Sequence, residues 1–154
     1  MSAEPARPEL AVLVGLPGAG KTSFVRAHLA GHAHVSKDLM GSARDRNARQ
    51  LALVNRSLGD ARSVVVDNTN LRVTDRAPLI AAARAAGARV VGYLFDATAK
   101  ECLARNRGRE GKARVPDVAI HVSRARLEPP TRAEGFDELF VVHAVGGQFH
   151  VSAA

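Results

Sequence analysis

The chain has no tryptophan, one tyrosine and five phenylalanines, so aromatics make up 4% of its 154 residues. Its core must therefore be built mainly from Val, Leu, Ile and Ala. The same scarcity counts against an aromatic platform on which the bases of a single strand could stack. Phe24, Tyr93, Phe95, Phe136, Phe140 and Phe149 are the whole supply, and most fall in expected core elements. The single cysteine, Cys102, excludes an internal disulfide. It falls in a helical pattern and reads as a small buried apolar residue, not as a reactive thiol. There is no cationic-plus-apolar leader and no apolar stretch of about 18 residues, and a cytoplasmic protein without a membrane partner is the expectation. The six histidines are scattered and suggest no metal cluster. Internal repeats and low-complexity blocks are absent too.

What the chain does have is positive charge. Its formal net charge is +7 and its pI about 10.7. A basic surface favours polyanions: nucleic acid, nucleotides or anionic membrane. Nucleotide binding alone needs only a few cations, which leaves charge for a second anionic partner; an Arg-rich solvated surface is the alternative.

The most informative segment is Gly15-Leu16-Pro17-Gly18-Ala19-Gly20-Lys21-Thr22. It fits G-x-x-x-x-G-K-[ST], the phosphate-binding P-loop. An apolar strand, Leu10 to Leu16, feeds into it, and a helical pattern from Lys21 to Leu29 follows, which is the context the motif requires. Glycines let the backbone N–H groups curl around an anion, and the helix start adds the positive end of its dipole. Gly15, Pro17, Gly18, Ala19, Gly20, Lys21, Thr22 and Ser23 are therefore the candidate ATP-binding set, with Lys21 reaching the β- and γ-phosphates and the Thr22 hydroxyl ligating Mg²⁺.

Strands and helices alternate along the rest. Strands are expected at 34–36, 63–67 and 89–95, and helices at 42–58, 74–86 (capped by Thr74), 98–107 (capped by Thr98) and from Pro116 onward. A terminal hairpin is expected at 138–145 and 148–151, joined at Gly146-Gly147. This is the pattern of an α/β fold, a doubly wound, mainly parallel sheet with helices on both faces. Residues 1–9 read as a disordered tail and 10–152 as one P-loop kinase domain with an Arg-rich lid.

Ligands of such sheets sit at the carboxyl ends of the strands. Asp67 closes an apolar strand and is a candidate to hold a Mg²⁺ water or the Thr22 hydroxyl; an Asx turn in Asp67-Asn68-Thr69-Asn70 is the alternative. Asp38 follows the short second strand and is placed to accept a hydroxyl proton, or else to cap a loop. Arg105, Arg107, Arg109, Lys112 and Arg114 form a glycine-punctuated cationic segment. It reads as a mobile lid over the donor phosphates or as a solvated charge run.

Taken together, the P-loop, Val35-Ser36-Lys37-Asp38, Asp67-Asn68-Thr69-Asn70 and Arg105-Asn106-Arg107-Gly108-Arg109 resemble the kinase domain of polynucleotide 5′-hydroxyl kinases. Val115-Pro116-Asp117-Val118 and Pro130-Thr131-Arg132-Ala133-Glu134-Gly135-Phe136 extend the likeness over most of residues 10–150. The resemblance implies ATP and Mg²⁺ as cofactors and a 5′-OH end of DNA or RNA as acceptor. It implies Asp38 as general base, with Lys21 and Arg109 as its catalytic partners. Arg107 would be the neighbour or substitute of Arg109 on the donor phosphates, Thr22 and Asp67 the metal-side residues, and Asn106 the residue that positions the lid. Lys37, Asp38, Asp67 and Asn70 would face the acceptor. Phage members carry an Arg three residues after the base, where this chain has Gly41; Arg44 or Arg46 is the candidate replacement. Lys37 stands where animal members carry Arg, which loses bidentate phosphate contact. No Asp-x-Asp-x-Thr phosphatase signature appears, so a free-standing kinase domain is expected. The same motifs leave open a P-loop kinase of a small hydroxylated metabolite or antibiotic, and a non-catalytic nucleotide-gated module.

Overall fold

The computed structural model describes residues 7–40 and 44–154. Six strands form one sheet: β1 (Glu9–Val14), β2 (Ala33–Val35), β3 (Val64–Val66), β4 (Arg89–Phe95), β5 (Glu138–Val145) and β6 (Gln148–Ala153), in the order β2-β3-β1-β4-β5-β6. The first five run parallel, with Leu10 opposite Val64 and Val90, and β6 returns antiparallel along β5. Strands covered on both faces need apolar side chains on both, and Leu10 to Val14 and Val64 to Val66 are all fully buried.

Alternate residues of β1 serve separate cores. Leu10, Val12 and Val14 pack with Val54 and Leu58 of α2 (Arg46–Gly59) and with Leu79, Ile80 and Ala83 of α3 (Val73–Ala85). Ala11 and Leu13 pack with Phe24 and Val25 of α1 (Lys21–His28), Cys102 of α4 (Ala99–Arg107) and Ile120 of α5 (Asp117–Arg126). Helices thus cover both faces, as the alternating pattern predicts. Cys102 is buried as expected. Among the described residues, no helix is long and apolar enough to cross a membrane.

Several boundaries differ from the sequence reading. β1 begins at Glu9, inside the expected tail, because the Glu9 N–H finds Ser63 Oγ at 2.9 Å. It ends at Val14, since Gly15 turns away to donate its N–H to Thr69 O at 3.1 Å. The helix expected from Ser42 begins at Arg46 after Asp45, whose φ is +57°; Ser42, like Gly41, lies outside the described residues. Thr74 does not cap α3: Arg72 does, and its N–H donates to Asp75 Oδ2 at 3.1 Å. Thr98 does cap α4, accepting from Glu101 N–H at 3.1 Å. The hairpin turns on Gly146 and Gly147, whose φ values of +56° and +78° suit glycine at both centres of a tight turn.

Candidate active site

The P-loop leaves β1 at Val14 and enters α1 at Lys21. Gly18, at φ +84°, lies so close to α4 that a Cβ there would sit 3.0 Å from Cys102 O. The Arg105 guanidinium fastens the same spot, donating to Gly18 O at 3.1 Å. Gly15 and Ala19 face backward: a Cβ on Gly15 would lie 2.9 Å from Phe95 Cβ, and Ala19 is buried in the core. They shape the loop and do not line the cleft in front of it. Pro17, Gly18, Gly20, Lys21, Thr22 and Ser23 do line it.

That cleft has a volume of about 920 Å³. It brings Lys21, Thr22, Asp38, Asp67 and Arg109 together from four separate stretches of chain. Lys21 is buried, and its ammonium donates to Gly15 O at 3.0 Å and Leu16 O at 2.7 Å. Burial pulls its pKa from 10.5 down to about 8; nearby Asp67 pushes the other way and Arg109 adds to the fall. Asp67, also buried, accepts the Thr22 hydroxyl on Oδ2 at 2.8 Å, and His34 Nε2 lies 2.8 Å from the same oxygen. Thr22 and Asp67 offer two hard oxygen donors in contact, with the rest of a coordination sphere left to phosphates and water, which fits Mg²⁺. Among the described residues, no group of three His, Cys, Asp or Glu side chains could hold a metal alone.

Asp38 sits on a 3₁₀ turn, Lys37–Met40, directly after β2, and is exposed toward the cleft with Lys37 beside it. Arg109 lies just beyond α4 and lines the cleft, but Arg107 does not. Residues two apart on a helix point about 200° apart. With Arg105 turned to Gly18, Arg107 is sent outward and is exposed. The lid is pinned at its base: Asn106 Nδ2 donates to Val115 O at 2.7 Å, and Val115 N–H donates back to Asn106 Oδ1 at 3.0 Å. Arg44 is exposed and outside the cleft, whereas Arg46, the first residue of α2, lines it. Asn70 lines the cleft, yet its amide donates to Leu13 O at 2.8 Å and Val66 O at 3.3 Å. It therefore knits β1 to β3 and holds the floor without presenting its amide to an acceptor.

The sequence reading missed His34, Gln50, Asn68 and the pair Arg76–Glu134. Arg76 is completely buried; it donates to both Glu134 oxygens at 2.8 and 3.1 Å and to Asn70 O at 2.8 Å. Asn68 and Glu134 lay inside motifs already singled out, and Gln50 had a periodic signal: it sits at i, with Val54 and Leu58 at i+4 and i+8, on the buried stripe of α2.

Residues 10–130 match a protein family described as an AAA domain. The chain belongs to that AAA-domain family, AAA_33. It is 27% identical over 147 residues to a protein of Acanthamoeba polyphaga mimivirus named as a bifunctional polynucleotide phosphatase/kinase. That match takes in 90% of this chain and 34% of the viral protein, so the chain spans about a third of its relative's length. Among solved structures it resembles Kti12 of Chaetomium thermophilum in complex with ADP-AlF3 (TM-score 0.69, 21% identity, 87% of this chain and 88% of that one). A gluconokinase of Sinorhizobium meliloti gives 0.62, 21% identity and coverage of 90% and 84%. A fungal RNA kinase gives 0.66, 15% identity and coverage of 90% and 38%. The fold is that of the P-loop kinases.

Proposed function

We propose that this domain transfers the γ-phosphoryl group of ATP to the 5′-hydroxyl end of DNA or RNA. The observation that carries the reading is the shared cleft: a carboxylate, Asp38, lines the same cleft as the P-loop residues Gly18, Gly20, Lys21 and Thr22, and so does Arg109. Asp38 accepts the acceptor's hydroxyl proton and aligns the oxygen for in-line attack. Lys21 gives up its two carbonyl partners for the β- and γ-phosphates, and Arg109 neutralises charge that builds on the bridging oxygen. Thr22 and Asp67 would hold Mg²⁺, which when bound would supply further neutralisation of the phosphates. Lys37, Arg26 and Arg46 line the same cleft and suit the acceptor's backbone phosphates. The mimivirus relative and the fungal RNA kinase support a polynucleotide acceptor.

A second reading, a small hydroxylated metabolite as acceptor, is favoured by one feature. Among the described residues no aromatic side chain lines the cleft, and Leu51, Pro78 and Leu79 form an aliphatic wall there. The gluconokinase shares the fold.

Labelled ATP with a 5′-OH oligonucleotide, beside a panel of small alcohols, separates the two. The expected result is label on the oligonucleotide that Asp38→Ala abolishes while ATP binding survives. Label on small alcohols alone would transfer the assignment to the second reading.

A further inference from the structure

Asn68 stands where three parts of the cleft meet, and the phosphoryl transfer proposed above gives it no task. Its Oδ1 accepts the main-chain N–H of Lys37 at 2.9 Å, and its Nδ2 donates to Gln50 Oε1. The Lys37 amide immediately precedes Asp38. Gln50 is 5% exposed and belongs to α2, whose Arg46, Asn47 and Leu51 line the cleft beside it. A side-chain amide buried to that degree needs a partner inside the protein, and Asn68 is that partner. Asn68 is itself held by a rigid support: the N–H of neighbouring Asp67 donates to Val35 O at 2.8 Å, the last residue of β2. Asp38 is anchored quite differently. It is exposed, and among the described residues its own N–H makes only a long 3.3 Å contact with Ser36 Oγ. The place of its carboxylate is thus set through the main chain of the turn.

We propose that Asn68 is the positioning residue for Asp38. One face of its amide fixes the base-bearing turn to the end of β3. The other face, through Gln50, fixes the same turn to the α2 wall, so that base and acceptor wall move as one body. A displacement of about 1 Å at a reacting group can cost on the order of a hundredfold in rate, and loss of an orienting partner typically costs about ten- to a hundredfold. The kinetic part of this inference rests on the proposed phosphoryl transfer; the structural part does not.

The test uses the full chain with Asn68→Ala, Gln50→Glu and Gln50→Leu, read by amide hydrogen exchange, ATP binding and acceptor kinetics. In Asn68→Ala the Lys37 amide should exchange about tenfold faster or more, and kcat should fall roughly 30- to 100-fold. ATP affinity should stay within about twofold and the acceptor KM within about threefold, a split that general loosening of the site would not give. Gln50→Glu keeps an oxygen to accept from Asn68 and should retain kcat within about threefold; Gln50→Leu should lose about tenfold. Unchanged Lys37 exchange in Asn68→Ala overturns the proposal whatever the acceptor, and so does a loss of ATP binding in step with kcat. Should Asn68→Ala fail to fold, equal kcat in the two Gln50 variants overturns it as well. A wild-type protein that labels no 5′-OH end, yet whose Lys37 protection depends on Asn68, would remove the polynucleotide reading and leave the pin in place.

Discussion

Nucleotide binding should weaken steeply above pH 8, and Lys21 is the reason. Its ammonium, buried under the P-loop, has a pKa brought from 10.5 down to about 8 by desolvation. A bound triphosphate places negative charge against it and restores the charged form, so binding takes up a proton wherever the free protein has lost one. At pH 7 about nine in ten Lys21 side chains are already charged, and at pH 9 only about one in eleven. ATP affinity should therefore drop about tenfold between those pH values. Beyond pH 8 it should fall roughly one decade per pH unit, about 1.4 kcal/mol each, until the pKa of the bound form is reached. Tyr93, pushed up to about 12 by burial, stays neutral throughout this window. Calorimetry at pH 7.5, 8.5 and 9.5, in buffers of different ionisation enthalpy, measures affinity and proton uptake together. Lys21→Met is the control, with weaker binding and a flat profile. Stability carries the opposite sign from the usual paired cation. The folded pKa lies below the unfolded one, so the burial cost, about 3 kcal/mol, is fully present below pH 8 and relieved as pH rises toward 10.5. Two lost hydrogen bonds offset most of the gain from removing the charge, so Lys21→Met should melt no lower than the wild type at pH 7. Affinity independent of pH from 7.5 to 9.5, with no proton taken up, would refute the account of Lys21.

Two other substitutions probe the scaffold and the lid. Glu134→Ala leaves the guanidinium of Arg76 charged and buried, and should cost about 3–5 kcal/mol, or roughly 10 °C in Tm by calorimetry; a loss below about 1 kcal/mol would show that Arg76 finds another partner. Arg109→Ala should lower kcat on the order of a hundredfold while Arg107→Ala stays within about twofold, because only Arg109 lines the cleft; the reverse order in steady-state kinetics would place Arg107 on the donor phosphates instead.

What could be read from the chain alone follows the range of the forces involved. The P-loop and the alternating strands and helices are local patterns, and Leu10–Val14 and Val64–Val66 form strands where their apolar runs fall. The choice between Arg44 and Arg46 depends on backbone conformation and not on residue type. It turns on the left-handed Asp45, which sets the first residue of α2 and hence the direction of Arg46. Arg107 lies outside the cleft for a similar reason: counting cations in a segment ignores the helical phase that Arg105, tied to Gly18, imposes on its neighbours. Contacts between residues far apart left no trace in composition or period. His34 meets Asp67 across 33 positions, and Arg76 meets Glu134 across 58.

Asp67-Asn68-Thr69-Asn70 shows how much such distant contacts concentrate. As a string it resembles a family signature, and its physical content is a set of separate ties. Asp67 takes the Thr22 hydroxyl at the start of α1. Asn68 takes the amide before Asp38 and gives to Gln50. Thr69 O receives the N–H of Gly15, where the P-loop begins. Asn70, held at φ +43°, gives its amide to β1 and β3 and its carbonyl to buried Arg76, which Glu134 neutralises in turn. The P-loop, the Asp38 turn, α2 and the scaffold are thus referred to four consecutive residues at the end of one buried strand. A backbone shift there would move all of them at once. Substitutions in this turn should therefore be non-additive with changes at Asp38, Gln50 or Glu134, since each pair shares a support.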